Sequence, residues 1–124
     1  MEFLFTGSKK SFADAVSFCC NERGKLYEPR DENVWKSVFD HAKLKDIGEF
    51  WLGIHDKNEE GSFVYESDNS PIKFNNWNKG EPNDANAKED CVIVKMAVNG
   101  LWNDIPCQGY QKSIVCVKGT LRFG

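Results

Sequence analysis

The sequence predicts an α+β fold in which two helices come first and short strands follow. Three features carry this prediction: helical spacing of apolar side chains in the first part, short β-branched runs in the last part, and a long polar segment between them. A chain of 124 residues can build one hydrophobic core but not two. We therefore expect a single domain over residues 1–124.

The first two elements are predicted to be a strand and a helix. Residues 2–8, EFLFTGS, are typical of a short strand. Residues 8–24 predict a helix that stops at Gly24, because apolar side chains recur there every three or four residues. These side chains are Phe12, Ala15, Val16 and Cys19.

A second helix is predicted over residues 30–45. Asp31 is a suitable N-cap, since a carboxylate accepts hydrogen bonds from the free amides of the first turn. The apolar residues that follow fall on one helical face. They are Val34, Trp35, Val38, Phe39 and Ala42.

Strands are predicted on both sides of the polar segment. Residues 50–56, FWLGIHD, are typical of a buried strand, and GSFVYES at 61–67 predicts its hairpin partner. Asn99 and Gly100 indicate a tight turn between two later strands. The later strands are predicted over residues 91–97, 100–105 and 111–118, and the tail at 119–124 is expected to fray.

Composition excludes several functions. A formal net charge of −3 offers no basic face for nucleic acid, and no apolar run approaches the roughly 20 residues that cross a bilayer. The first strand follows Met1 directly, so we expect that a leader has been removed or the start trimmed. Four of the five cysteines can form two bridges, which favours an oxidising, extracellular setting over five reduced thiols in the cytosol.

The segment EPNDANAKEDC at 81–91 holds four acids. Such a segment is either a solvated tether or the holder of a cation. Oxygen ligands without a histidine or thiolate cluster indicate calcium, and no D-x-D-x-D-G run is present, so the site must be assembled from separate segments. The candidate ligands are Glu81, Asn83, Glu89, Asn103 and Asp104. A cis bond between Glu81 and Pro82 would point the side chains at 81 and 83 the same way.

FWLGIHD, EPN, EDC, LWND and CQGYQKSIVC occur in that order, and Phe12, Ala15, Phe18 and Cys19 keep a matching spacing in the first helix. In these motifs the chain resembles the C-type lectin family, and within it the mannose-type recognition domains of collectins. The resemblance covers about residues 3–118. It implies two helices packed on short antiparallel sheets, with a long calcium-binding loop.

The resemblance also implies the roles of the acids. Glu81, Asn83, Glu89, Asn103 and Asp104 fall on the family's principal calcium ligands, which also bind two vicinal hydroxyls of a sugar. Glu81 with Asn83 is the family's pair for equatorial 3- and 4-hydroxyls, as in mannose, fucose, glucose and N-acetylglucosamine, whereas galactose binders carry Gln and Asp. The auxiliary calcium site matches Asp56, Glu60, Asp84, Glu89 and Asp90. We expect one calcium ion at the principal site and at least one more at the auxiliary site.

The family's disulfides fall on Cys19–Cys116 and Cys91–Cys107, and Cys20 is left over. We expect Cys20 to be a small buried thiol; an intermolecular disulfide that makes a homodimer, and disulfide scrambling, are the alternatives. We expect Trp51, Trp77 and Trp102 to pack in the core, with sugar stacking on Trp77 or Tyr110 as the alternative.

The sequence thus predicts a secreted, calcium-dependent carbohydrate-recognition domain without catalysis. Its partners would be mannose-type glycans, free or on cell or microbial surfaces, as in innate immunity. One alternative is a protein- or ice-binding domain of the same fold in which calcium only shapes the loop. A calcium-assisted hydrolase is the other, but no Ser-His or Cys-His arrangement accompanies the acids.

Overall fold

A computed structural model describes residues 2–82 and 89–118 of the chain. Within these residues the elements are two α-helices, seven strands and one short 3-10 helix. In chain order they are β1 (Glu2–Lys10), α1 (Phe12–Asn21), β2 (Lys25–Leu26), α2 (Glu32–Leu44), β3 (Glu49–His55), β4 (Val64–Tyr65), β5 (Cys91–Lys95), the 3-10 helix (Met96–Val98), β6 (Leu101–Ile105) and β7 (Lys112–Lys118). The predicted tail at 119–124 lies outside the described residues.

The strands form one sheet in the order β1-β7-β3-β5-β6, with β2 beside β7 and β4 beside β3. All pairs are antiparallel except β3 with β7, which run parallel where Phe50 faces Ser113. The expected antiparallel pairing thus holds for the other strand pairs, with this one parallel pair added. Strand β3 is buried on both faces, since every residue from Phe50 to His55 is buried.

α2 begins after Asp31, the N-cap that the sequence indicates, whereas α1 begins at Phe12, four residues after the predicted start at residue 8. The Ser11 hydroxyl accepts a hydrogen bond from the Asp14 amide at 3.2 Å and caps α1. The Asp31 carboxylate accepts from the amides of Asn33 and Val34 at 2.7 and 3.2 Å and caps α2. Within the described part of the chain, neither helix is long and apolar enough to cross a bilayer.

The strand predictions differ from the structure mainly in length. β4 has only two residues, and β5 ends at Lys95, where the chain enters the 3-10 helix. The turn at Asn99 and Gly100 is present, since both residues have positive φ angles of 61° and 74°. β2 is absent from the sequence-based prediction because a two-residue strand has no periodicity to detect.

Two disulfides join the elements, and they are the pairs that the family resemblance implies. Cys19–Cys116 ties α1 to β7, and Cys91–Cys107 braces β5 against the chain after β6. They enclose 97 and 16 residues, so chain entropy gives about 4–5 and about 3 kcal/mol of stabilisation. Cys20 is exposed, because α1 turns its preceding residue inward, and the expectation of a buried thiol is wrong.

A buried ion pair fixes the turn that follows β4. The Glu28 side chain is 1% exposed and contacts Arg30 at 2.9 Å and Lys25 at 3.2 Å. Its second carboxylate oxygen accepts a hydrogen bond from the Ser67 amide at 2.7 Å. The buried charge is therefore paired and hydrogen-bonded, as burial requires.

Gly53 of β3 makes room for this ion pair. A Cβ atom at this position would lie 2.8 Å from Cγ of Glu28 and 3.0 Å from the Leu26 carbonyl oxygen. Both distances are shorter than ordinary van der Waals contacts. The close approach of Glu28 and Leu26 thus explains why the FWLGIHD motif has a glycine at this position.

We expect Gly53→Ala to lower the free energy of unfolding by about 1–3 kcal/mol, because the added methyl group overpacks against Glu28. Gly7→Ala is the matched control: nothing lies within 4 Å of its Cβ position, and its effect should stay within about 0.5 kcal/mol. Urea denaturation measures both variants. Equal losses would contradict the steric explanation.

Candidate functional site

Polar side chains collect at the end of the sheet where β3 stops and β5 starts. Asp56 follows β3 directly, and its amide donates to the Asp90 carbonyl oxygen at 3.0 Å, just before β5. Asn103 and Asp104 lie on β6, opposite Ile93 and Val92 of β5. Strand pairing therefore brings acids from three separate segments to one edge of the molecule.

The first group of acids consists of Asp56, Glu60 and Asp90. Each contributes one carboxylate oxygen, and these oxygens all lie within 4.8 Å of one another. The Asp56 carboxylate accepts a hydrogen bond from the Gly61 amide at 2.8 Å through Oδ2. Its other oxygen, Oδ1, is buried without a hydrogen-bond partner. A buried, unsatisfied carboxylate oxygen among other carboxylates fits a cation with hard-oxygen preference.

The second group lies on the neighbouring strand. Asp104 is buried, and its backbone amide donates to Oε1 of Glu81 at 3.4 Å. The two carboxyl groups are also hydrogen-bonded to each other through their side chains. Asn103 lies next to them on β6 and is half-buried. Glu81, Asn103 and Asp104 thus form a compact set of oxygen and amide groups.

The chain at 76–78 holds Glu81 against β6. The Trp102 amide donates to the Asn76 carbonyl oxygen, and the Asn78 amide donates to the Trp102 carbonyl oxygen, each at 2.8 Å. The Glu81 amide in turn donates to the Asn78 carbonyl oxygen at 2.9 Å. Residues 76–78 are therefore joined to β6 by a short ladder of backbone hydrogen bonds.

The side chain of Asn78 adds a contact that sequence reasoning missed. Its Nδ2 donates to Oδ1 of Asn103 at 3.4 Å, which orients the Asn103 amide. The only sequence signal was a run of asparagines around Trp77, without any periodicity. The peptide bond between Glu81 and Pro82 is cis.

The electrostatics of Glu81 reflect its crowded surroundings. Burial is the largest cause that raises its pKa, to about 7, and the hydrogen-bonded carboxyl of Asp104 adds to the rise. The charge of Glu89 also raises this pKa, so Glu89 acts on the same group. Asn83 and Asp84, the other ligands implied by the resemblance, lie outside the described residues.

Three tryptophans lie in the core or pack against it. Trp51 and Trp102 are fully buried, and Trp77 is half-buried with its ring 5.8 Å from Trp102 and 5.0 Å from Phe63. Trp77 therefore packs on the core instead of standing free for stacking. Tyr110 is 48% exposed.

The sequence profile described as Lectin C-type domain matches residues 8–118. The chain belongs to the C-type lectin family. Its α+β architecture and its fold neighbours agree with the fold that the resemblance implied. The family is one of lectins and not of enzymes, which agrees with the prediction of a chain without catalysis.

Several curated relatives are about one-third identical to this C-type lectin over the aligned residues. It is 36% identical to the low affinity immunoglobulin epsilon Fc receptor of Mus musculus over 92% of this chain and 33% of the receptor. Identity is 34% with a perlucin-like protein of Mytilus galloprovincialis, over 92% of this chain and 74% of the relative. Collectin-10 of Gallus gallus is 36% identical over 86% of this chain, which spans 38% of the collectin.

Two solved recognition domains share the fold. The cow CD23 carbohydrate-recognition domain, solved in the presence of GlcNAc2Man3 oligosaccharide, matches with a TM-score of 0.82 and 30% identity over 96% of this chain and 88% of that one. The mouse scavenger receptor C-type lectin domain matches with a TM-score of 0.82 and 25% identity over 92% and 86%.

The raised pKa of Glu81 predicts how calcium-free protein responds to pH. Its ordinary value is 4.5 and its value in the fold is about 7, so between these values the folded chain holds a proton that the unfolded chain has lost. The free energy of unfolding in EDTA should therefore fall as pH rises from about 4.5 to 7 through this group. Glu81→Gln should flatten this dependence, whereas Glu59→Gln, an exposed acid in the nearby turn, should leave it unchanged.

Urea denaturation at pH 5.0 and 7.5 in EDTA measures the three proteins. An equal pH slope for the parent and Glu81→Gln would show that Glu81 is not the titrating group.

Proposed function

We propose that this chain is a single, secreted carbohydrate-recognition domain that binds vicinal equatorial hydroxyls of the mannose class in a calcium-dependent way, without catalysis. The observation that carries the proposal is the grouping of Glu81, Asn103 and Asp104 at the edge of β6. Family membership and the oligosaccharide present with the cow CD23 domain support it.

The side chains of the second group suit a diol. Carboxylates accept hydrogen bonds from hydroxyl protons, whereas an asparagine amide donates to hydroxyl oxygens. Glu81 and Asp104 would accept, and Asn103 and Asn83 would donate. Calcium, held by these residues and Glu89, would supply a positive centre whose shell the two sugar hydroxyls complete.

The first group would bind an auxiliary ion and hold the loop. Asp56 and Asp90 lie on the ends of two paired strands, and Glu60 lies in the turn between β3 and β4. Together with Asp84 and Glu89, these acids would repel one another. A bound cation would offset this repulsion. Their role would be to keep residues 81–90 in the shape that binds sugar.

The preference for the mannose class rests on Glu81 and Asn83. At position 81 a carboxylate accepts hydrogen bonds, and at position 83 an amide can donate them, so the two residues decide which diol geometry the site can bind. A Gln/Asp pair would exchange the donor and the acceptor between these positions. A lone shallow diol site binds weakly, so useful affinity requires several domains together. The exposed Cys20 offers one route to a covalent homodimer, which non-reducing electrophoresis tests.

We expect the protein to bind mannose–agarose in millimolar calcium and to be released by EDTA or by free mannose. Asp104→Asn should flow through, because the substitution removes a carboxylate from the ion and the sugar. Glu59→Gln, which alters an exposed acid outside both groups, should bind like the parent.

Flow-through of the parent in calcium, or retention that mannose cannot reverse, would overturn the lectin proposal. If calcium binding measured by calorimetry persisted in that case, the protein- or ice-binding alternative would take its place.

We expect the double change Glu81→Gln with Asn83→Asp to move the preference from mannose toward galactose while calcium dependence stays. The reason is that the two residues exchange donor and acceptor positions around the ion. Competition by the two monosaccharides for immobilised ligand measures the preference. An unchanged preference for mannose would place the diol elsewhere.

The auxiliary site can be tested separately. Asp56→Asn keeps an oxygen that can accept from the Gly61 amide but removes a charge, so apparent calcium affinity should fall about tenfold or more. Calcium titration followed by tryptophan fluorescence measures it, since Trp77 packs on Trp102, next to Asn103 in the chain. A calcium affinity equal to that of Glu59→Gln would show that Asp56 does not bind the ion.

A further inference from the structure

The end of the sheet opposite the acids carries lysines. Strand β3 runs from Glu49 to His55 and β5 runs back from Cys91 to Lys95, so Glu49 and Lys95 are paired at the end away from Asp56. Lys112 starts β7 at the same end and contacts Glu49 at 2.5 Å. The molecule therefore separates its charges along the strands.

Two adjoining clefts open at this end. One has a volume of about 450 Å³ and is lined by the exposed Lys9 and Lys45. The other has a volume of about 330 Å³ and is lined by the exposed Lys43. Both share residues 46–48, so together they form one groove that is lined by three exposed lysines.

The local charge is positive although the whole chain carries −3. Glu49 is compensated by its ion pair with Lys112. Asp46 is the one acid among the described residues that line the groove, and it lines both clefts. An excess of lysine in an acidic chain creates a local positive potential that attracts polyanions.

We propose that this lysine groove, defined by Lys9, Lys43 and Lys45, binds a linear sulfated polysaccharide. A chain molecule can follow the two joined clefts, and each ammonium group can meet one sulfate as a compact charge. This binding needs no calcium and lies at the opposite end from Glu81 and Asp104, so both surfaces can be occupied at once.

An anionic lipid surface fits the groove less well. Membrane docking favours several exposed apolar side chains in one plane that insert between lipids. Among the described residues, the large hydrophobic side chains exposed to solvent are three, Leu44 at 83%, Tyr110 at 48% and Val98 at 38%, and none of them lines the groove. The lysines line a concave surface, which suits an extended polymer better than a plane.

The test is the binding of fluorescein-labelled heparin to the whole chain in EDTA at 50 mM NaCl, followed by anisotropy. We expect Lys9→Gln with Lys45→Gln to weaken binding about tenfold, because two charge contacts are lost. The matched control Lys57→Gln with Lys73→Gln removes the same charge from exposed lysines outside the groove and should change the affinity less than about twofold.

Asp46→Asn gives an opposite result. The substitution removes the one acid among the described residues that line the groove, so heparin should bind more tightly. Asparagine tolerates the positive φ of 57° at this position, so the backbone should not be strained. Rising salt should weaken all of these affinities together.

Three results would overturn the proposal: no heparin binding in EDTA, an equal loss in the control pair, or binding to phosphatidylserine vesicles that Leu44→Ala removes while heparin does not bind. Since EDTA empties any calcium site, these outcomes are independent of the proposed mannose binding.

Discussion

Pairing of β5 with both β3 and β6 forces carboxylates that are far apart in sequence onto one end of the sheet. Asp56, Asp90 and Asp104 have no freedom to move apart, because each lies on or directly beside a strand that is hydrogen-bonded to its neighbour. Their mutual repulsion is therefore built into the fold. A structure that fixes like charges together is stable only where protons or cations offset the repulsion.

The elements around this constraint keep it rigid. Cys91–Cys107 anchors the end of the loop to the sheet, and the ladder of residues 76–78 on β6 anchors its beginning. The ion pair of Glu28 with Arg30 holds the turn after β4, and Gly53 leaves space for it. Consequently the segment that joins Glu81 to Asp90 starts and ends at points that the sheet holds in place.

Sequence reasoning reached the helices and the long strands because their periodicity and caps are local signals. The Asp31 cap and the Asn99-Gly100 turn each act within a few residues. The parallel contact of β3 with β7, the two-residue strands and the exposure of Cys20 depend on tertiary packing, which leaves no local pattern. The family resemblance indicated the roles of the acids. The hydrogen bond from Asn78 to Asn103 became evident only in the structure, because an asparagine in a polar loop carries no distinguishing signal.

The central claim is that Glu81, Asn103 and Asp104, at the edge of β6, hold the ion that binds sugar. A crystal structure grown with calcium and methyl α-mannoside tests it most directly. We predict an ion at about 2.3–2.6 Å from oxygens of Glu81, Asn103 and Asp104, with two vicinal sugar hydroxyls completing its shell. Sugar bound away from these residues, or no ion between them at millimolar calcium, would contradict the account.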